Sequence, residues 1–461
     1  MFRNLRASIL SFILLIFFSV IAKAQVRINS INIEGNDKTK KYIILRELPY
    51  HVGDHINKDS ISILNILSRQ QLYNTSLFLT ANVEAEYPIP KDSSIVNIHI
   101  QVKERWYFVP KPVFKWADRN FSQWWNEEHH NLNRVNYGII LSQKNATGNN
   151  DNFLLGIVSG YTQQNIIRYQ LPYIDKKLKF GMGFGWQNYK QKEINYTTAL
   201  DKQIFIKTIG VVREGYRANV NFLYRPNLFE HHSLQLGFGK DALSDSGFSI
   251  QPLFLPNHSK SFSYADITLA FTKINFDYNA YPTKGSAVEF IAFQRFSPSA
   301  PLSSFQFRKI VAHSFSKQNF MLVESNSIAK FIPNYNYLDH RLLGYGNFQM
   351  NGLEYYVVDG NAASILKTSF HHSLGGFTVK APIKNKYLPD VKYDFWFRIF
   401  THLGYVYSDH PLNTNRLSNT LIRTAGIGLD IISIYDFVLK IDYSVNQLGD
   451  KGVYLHSGIN F

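Results

Sequence analysis

From Tyr107 to the C-terminus the chain is built from short runs in which apolar and polar side chains alternate, the period of a β-strand. The last two runs show it most clearly. In Phe437–Asn446, the residues Phe437, Leu439, Ile441, Tyr443 and Val445 alternate with Val438, Lys440, Asp442, Ser444 and Asn446. In Val453–Phe461, Val453, Leu455, Ile459 and Phe461 alternate with Tyr454, His456, Gly458 and Asn460. Sixteen such runs follow one another from Tyr107–Trp116 onward, among them Ile206–Tyr224, read as a single strand. Each strand has one greasy and one polar face, so the greasy face must meet a second sheet or lipid. Longer connections fall at Phe121–Asn131, Ala242–Lys260 and Pro333–Asn361.

The preceding segment, residues 25–105, has a different pattern. Val26–Glu34 alternates as a strand, and Gly35-Asn36 turns the chain. Thr39–Leu48 and Lys58–Tyr73 carry helical spacing, the second through Ile61, Leu64, Leu67 and Leu72. Strands at Leu79–Ala85 and Ser94–Glu104 complete a β-α-α-β-β order. Ahead of it stand a basic Met1–Arg6, an apolar Ser8–Ile21 and the small-x-small Ala22-Lys23-Ala24, the three parts of a secretory signal peptide over residues 1–24. Past the leader no apolar run reaches the roughly 20 residues of a helical span. A secreted chain of this kind can cross a membrane only as a closed barrel.

Composition narrows the choice. There is no cysteine, which removes disulfides, thiol catalysis and Cys-ligated metals. Tyr and Phe number 28 and 36, an excess that suits interface girdles as well as strands. The net charge is +15, but the basic residues are scattered without a long basic run. That distribution fits a solvated face or anionic lipid headgroups, and no nucleic-acid partner is expected. The pairs His129-His130, His231-His232 and His371-His372 suggest metal at first sight. Adjacent strand residues face opposite sides and cannot chelate jointly, so no metal is expected. Asn145-Ala146-Thr147 fits a glycosylation acceptor, which with this targeting is most simply an exposed loop. No phosphate loop, nucleophile elbow or metalloprotease helix occurs, so neither enzymatic activity nor a cofactor is expected.

Ile33-Glu34-Gly35-Asn36, Leu72-Tyr73-Asn74 through Leu77-Phe78, and Val102-Lys103-Glu104 occur in the order found in a POTRA domain, which residues 25–105 resemble. Asp277–Gly285, Leu171-Pro172-Tyr173-Ile174, Gly426-Ile427-Gly428-Leu429 and the terminal Gly458-Ile459-Asn460-Phe461 are similar to signatures of the BamA/TamA-type outer-membrane assembly superfamily. The closing Phe461 also resembles the sorting signal of outer-membrane barrels. Together these cover nearly all of the mature chain. The implied fold is mainly β: an α+β POTRA-like domain, residues 25–105, then a 16-stranded antiparallel transmembrane β-barrel, residues 106–461.

The resemblance also implies sites. In the family an outer loop folds into the barrel, and an Arg at its tip pairs with an Asp on the thirteenth strand. Here the matching loop stretch is Asn351-Gly352-Leu353-Glu354, with Asn351 where the Arg belongs. The matching strand stretch is Phe400, His402 and Gly404, with His402 for the Asp. Both charges are lost together, and Asn351 is expected to hydrogen-bond His402 and keep the loop inside. Ile28 and Val83 are expected to mark client-strand capture by β-augmentation. Pro110 and Pro112 on the first strand, with Phe461 on the last, mark a poorly bonded seam.

The expected function is assembly, insertion or translocation of β-barrel or secreted client chains in the outer membrane of a diderm bacterium. The expected partners are outer-membrane lipids, such clients and other assembly subunits, with the N-terminal domain in the periplasm. Two alternatives are a passive channel or transporter and a dedicated two-partner-type secretion pore.

Overall fold

The computed structural model describes residues 25–88, 94–116, 121–127, 129–207, 210–346, 348–381 and 390–457. The leader and Phe461 lie outside the described residues.

The N-terminal domain contains strands β1 (Gln25–Glu34), β2 (His55–Asn57), β3 (Phe78–Glu86) and β4 (Ile95–Glu104), with helices α1 (Lys41–Arg46) and α2 (Ile61–Asn74). The sheet order is β2-β1-β4-β3, with β1 parallel to β4 and the other pairs antiparallel. The sequence pattern missed only the three-residue β2, too short to show a period. Val26, Ile28, Ile98 and Ile100 from the sheet bury against Ile43, Ile44, Ile61 and Leu72 from the helices. Burial of this apolar face is the main force holding the domain together.

The rest of the chain is organised by one antiparallel sheet of sixteen strands. Its first strands are β5 (Phe108–Trp116), β6 (Val135–Lys144), β7 (Asn152–Gly160), β8 (Thr162–Leu171) and β9 (Phe180–Gln191). A separate hairpin, β10 (Glu193–Ala199) and β11 (Lys202–Lys207), follows. The sheet resumes with β12 (Arg213–Tyr224), β13 (Glu230–Leu243), β14 (Ser261–Phe276), β15 (Gly285–Phe296), β16 (Leu302–Ser314) and β17 (Asn319–Phe331). After the short pair β18 (Arg341–Leu343) and β19 (Val358–Asp359), it ends with β20 (Ala362–Val379), β21 (Val391–Tyr407), β22 (Leu421–Ser433), β23 (Phe437–Asn446) and β24 (Lys451–Ser457). All sixteen expected strands occur in the expected sequence. The run read as Ile206–Tyr224 instead divides: its start belongs to the β10–β11 hairpin and only Arg213 onward joins the sheet.

The faces of this sheet are inverted relative to a soluble protein. Phe184, Phe222, Phe238, Phe290, Phe305 and Ile399 are exposed, whereas Asp266, Arg295, Asn326, His371, Asp430 and Asp442 are buried. The sheet curls around a common interior. Lys115 of β5, Glu289 of β15, Lys367 of β20 and His456 of β24 line one cavity of about 770 Å³. Among the described residues no helix is long and apolar enough to cross a membrane.

Candidate functional site

The 332–361 connection enters the interior and sets the geometry of the site. Met350 packs against Gly404 of β21, where any Cβ would lie 2.6 Å from its Sδ. Gly352, at φ +92°, lies against Thr424, so a side chain there would be strained and would clash. Asn446 Nδ2 donates to the Gly352 carbonyl at 2.9 Å. The Glu354 carboxylate accepts the Gly352 N–H at 2.9 and 3.0 Å and lies 3.2 Å from His456 Nε2. Leu353 is buried in a cluster with Leu342, Val358, Ile365 and Ile422. Arg295 and Asp339 form a two-point ion pair, at 3.0 and 2.5 Å, that fixes the base of the same connection.

Asn351 does not bond His402. Its Nδ2 donates instead to Asp442 Oδ2 on β23, at 2.6 Å. His402 is buried with Phe400, the two rings 5.0 Å apart, and its Nδ1 has no hydrogen-bond partner among the described residues. The cation at this position comes from the strand. Arg398 of β21 bonds Asp430 of β22 through Nε, at 3.1 and 3.2 Å, and Asp442 through Nη2. Both carboxylates are fully buried. Ion pair and loop anchor thus meet at Asp442, with arginine on one oxygen and asparagine on the other. The sequence did carry a signal: with Phe397 and Ile399 outward, Arg398 must point inward. Its partners, 32 and 44 residues away, could not be read.

At one end of the sheet the N-terminal domain docks onto five turns. Lys40 N–H bonds Gly148 O at 3.0 Å, and Asn145 Nδ2 bonds Thr39 Oγ1 at 2.8 Å. Arg46 Nε donates to Leu178 O at 3.0 Å. Arg225 clamps the Glu47 carboxylate at 2.5 and 2.7 Å. Asn74 at the end of α2 bonds Phe276 O and the Asn279 N–H. Arg105 clamps Asp436, on the β22–β23 turn, at 2.6 and 3.0 Å; Ser76 and Tyr278 add hydrogen bonds to the same carboxylate, each at 2.8 Å. Burial alone would raise the Asp436 carboxyl, but the Arg105 hydrogen bonds and charge outweigh it and hold it below its ordinary value. Burial likewise opposes the Arg225 charge, and Glu47 overrides it, raising the guanidinium further.

At the other end the β10–β11 hairpin spans the opening. Its tip residues Leu200 and Asp201 both have positive φ, +52° and +59°, a conformation costly for leucine. Asp201 accepts the N–H groups of Arg416 and Leu417 at 2.9 and 3.0 Å, and its carbonyl accepts that of Val357 at 2.8 Å. The hairpin therefore ties the 332–361 and 408–420 connections together.

The end strands β5 and β24 share no ladder among the described residues. Lys144 N–H donates to Tyr107 O, so Tyr107, Val109 and Lys111 turn their main-chain groups toward β6. Pro110 and Pro112 therefore face the free edge, where two donors are missing. A short helix, α3 (Phe121–Asn126), lies beside β24, and its Trp124 stacks on Trp116 of β5 at 6.2 Å. The first outer connection thus straddles both end strands.

Residues 26–105 match the family model POTRA, surface antigen variable number repeat. The N-terminal domain is a POTRA domain. Among solved structures, CdiB from Escherichia coli is similar over 94% of this chain and 76% of its own, at 13% identity and a TM-score of 0.53. BamA from Haemophilus ducreyi lacking POTRA domains 1–3 covers 94% and 84%, at 14% identity and 0.49. CdiB from Acinetobacter baumannii covers 94% and 73%, at 13% and 0.49. The Escherichia coli likeness shows a shared fold. No curated protein sequence matches the chain.

Among the described residues the POTRA sheet ends in two edge strands, β2 and β3. Strand β3 pairs there with β4 alone, and Val83 on it lines a cleft of about 580 Å³ with Ile61, Ile66 and Arg69 of α2. Ile28 does not belong to this edge: it is buried on β1, between β2 and β4. Among the described residues no group of three or more His, Asp or Glu side chains is placed to hold a metal.

Proposed function

We propose that the sixteen-stranded sheet closes into a transmembrane barrel in the outer membrane of a diderm bacterium, with the POTRA domain in the periplasm, and that it works as a gated pore for polypeptide chains. The observation that carries this reading is the inverted sheet, apolar outside and charged within, whose interior holds the 332–361 loop and whose inner mouth is covered by the POTRA domain. An apolar outer face satisfies a bilayer, and a polar interior suits an aqueous path. A passive channel has no need of closure at both ends, so the two coverings favour a path opened for a client.

In this scheme a client strand pairs with the β3 edge through main-chain hydrogen bonds, with Val83 and the α2 groove taking side chains. The POTRA domain then undocks, the loop leaves its seat, and the client passes. Insertion of barrel clients at the β5–β24 seam is a second reading, favoured by the two prolines on the free edge of β5.

Two measurements separate these readings. In planar bilayers the intact protein is expected to be nearly silent, and removal of residues 344–356 is expected to open a large, stable conductance. A large conductance from the intact chain contradicts gating. Depletion in cells followed by outer-membrane and extracellular proteomics is expected to remove one or a few secreted proteins. Broad loss of outer-membrane barrels instead supports insertion.

A further inference from the structure

We propose that POTRA docking sets the seat of the 332–361 loop through one continuous interior strut formed by the 277–284 turn, Asp430, Arg398, Asp442 and Asn351. The inference deepens the pore reading by naming how its two closures are regulated together.

Each link is a direct contact. At the POTRA end, the Tyr73 and Tyr278 rings lie 5.3 Å apart, Asn74 accepts the Asn279 N–H at 2.9 Å, and Tyr278 OH donates to the Asp436 carboxylate that Arg105 clamps. The turn itself is stiff. Asp277 accepts the N–H groups of Tyr278, Thr283 and Lys284, at 3.0 to 3.1 Å, and the Thr283 hydroxyl at 2.5 Å. From the same turn Tyr281 reaches into the interior, where its hydroxyl donates to Asp430 Oδ2 at 2.9 Å and lies 2.8 Å from His371 Nδ1. Its ring is fixed edge-on by Phe320, at 5.7 Å. Asp430 holds Arg398, Arg398 holds Asp442, and Asp442 accepts the Asn351 amide.

The physical consequence follows from burial. Tyr281, Asp430 and Asp442 are buried away from the cavity lining, so loss of a partner leaves each with an unmatched polar group. The docked turn is held by two hydrogen bonds at Asn74, by the Tyr73 ring against Tyr278, and by the Tyr278 bond to Asp436, whose carboxylate Arg105 and Ser76 also bind. When the POTRA domain leaves, the contacts of Tyr73, Asn74, Ser76 and Arg105 go, the Tyr278–Asp436 bond loses the groups that hold it, and the Tyr281 hydroxyl loses its fixed placement against Asp430. Arg398 is then less constrained to present the Asp442 oxygen that Asn351 occupies. Coupling of this kind is reciprocal: release of the loop must weaken POTRA docking by the same factor.

The absence of native cysteine makes the test direct. A single cysteine replaces the exposed Gln349 in the loop, Q349C, in the full chain embedded in vesicles. Its reaction rate with a membrane-impermeant maleimide is then compared among the parent, Tyr281→Phe and Asp436→Asn. Tyr281→Phe keeps the ring and removes only the hydroxyl. Both variants are expected to raise the rate about fivefold or more, and the double variant is expected not to exceed the faster single one. A control cysteine replacing the exposed Asn133, in the connection between β5 and β6, is expected to keep its rate. Asn351→Ala is expected to speed amide hydrogen exchange at residues 73–78. A rate at Cys-substituted position 349 that stays at the parent value in either variant overturns the strut, as does equal acceleration at position 133. The assay needs no client, so its failure leaves the pore reading standing, and failure of the secretion assay leaves the strut standing.

Discussion

Arg398 is the residue on which the interior is most dependent. It serves two carboxylates that are fully buried, so Arg398→Ala strands two charges rather than removing one bond. The expected cost is about 3–5 kcal/mol, read as a lower temperature for loss of the compact band on heat-modifiability gels. Asp436 gives a pH test at the mouth. Its carboxyl is held below the ordinary 3.8, so POTRA docking gains stability above that value and loses it as pH falls through the lower, folded value. Docking is expected to be flat from neutral pH down to about 5 and to fail only below about 3.8, monitored by hydrogen exchange at residues 73–78. Arg105→Ala is expected to remove this dependence. At this scale the sequence was legible where alternation decides direction: Phe400, His402 and Gly404 do face inward. It was not legible where the partner is remote. The pairing of Asn351 with His402 followed from a two-partner expectation, whereas Arg398 and Asp442 rebuilt the pair from β21 and β23.

At the scale of elements, all sixteen sheet strands could be read from period two, because one face meets water and the other does not. What could not be read was which sheet a strand joins. Ile204, Phe205 and Ile206 look like any other strand residues, yet they belong to the hairpin that crosses the outer opening. The edge of β5 offers an element-scale prediction. Pro110→Val with Pro112→Val restores two donors toward β24, each worth about 0.5–1.5 kcal/mol where an acceptor is met. The double variant is expected to unfold at a higher temperature and, if the seam must part for insertion, to slow that process. An unchanged unfolding temperature means the two edges do not meet there.

For the whole molecule, the decisive feature is that the large sheet buries paired charges on one face and exposes aromatic residues on the other. Composition hinted at this through the excess of Phe and Tyr, but an excess of aromatics also fits a large soluble β-protein. Only the placement distinguishes them: Asp442 and Ser444 of β23 are buried while Tyr443 and Val445 are exposed. The most direct measurement is therefore a fluorophore scan along β23 in the cysteine-free chain, one cysteine at a time from Leu439 to Val445, in vesicles containing nitroxide-labelled lipid. Strong quenching is expected at Leu439, Ile441, Tyr443 and Val445 and weak quenching at Lys440, Asp442 and Ser444. Quenching without that two-residue period, or a mature chain that stays monodisperse in buffer free of detergent, would contradict the account.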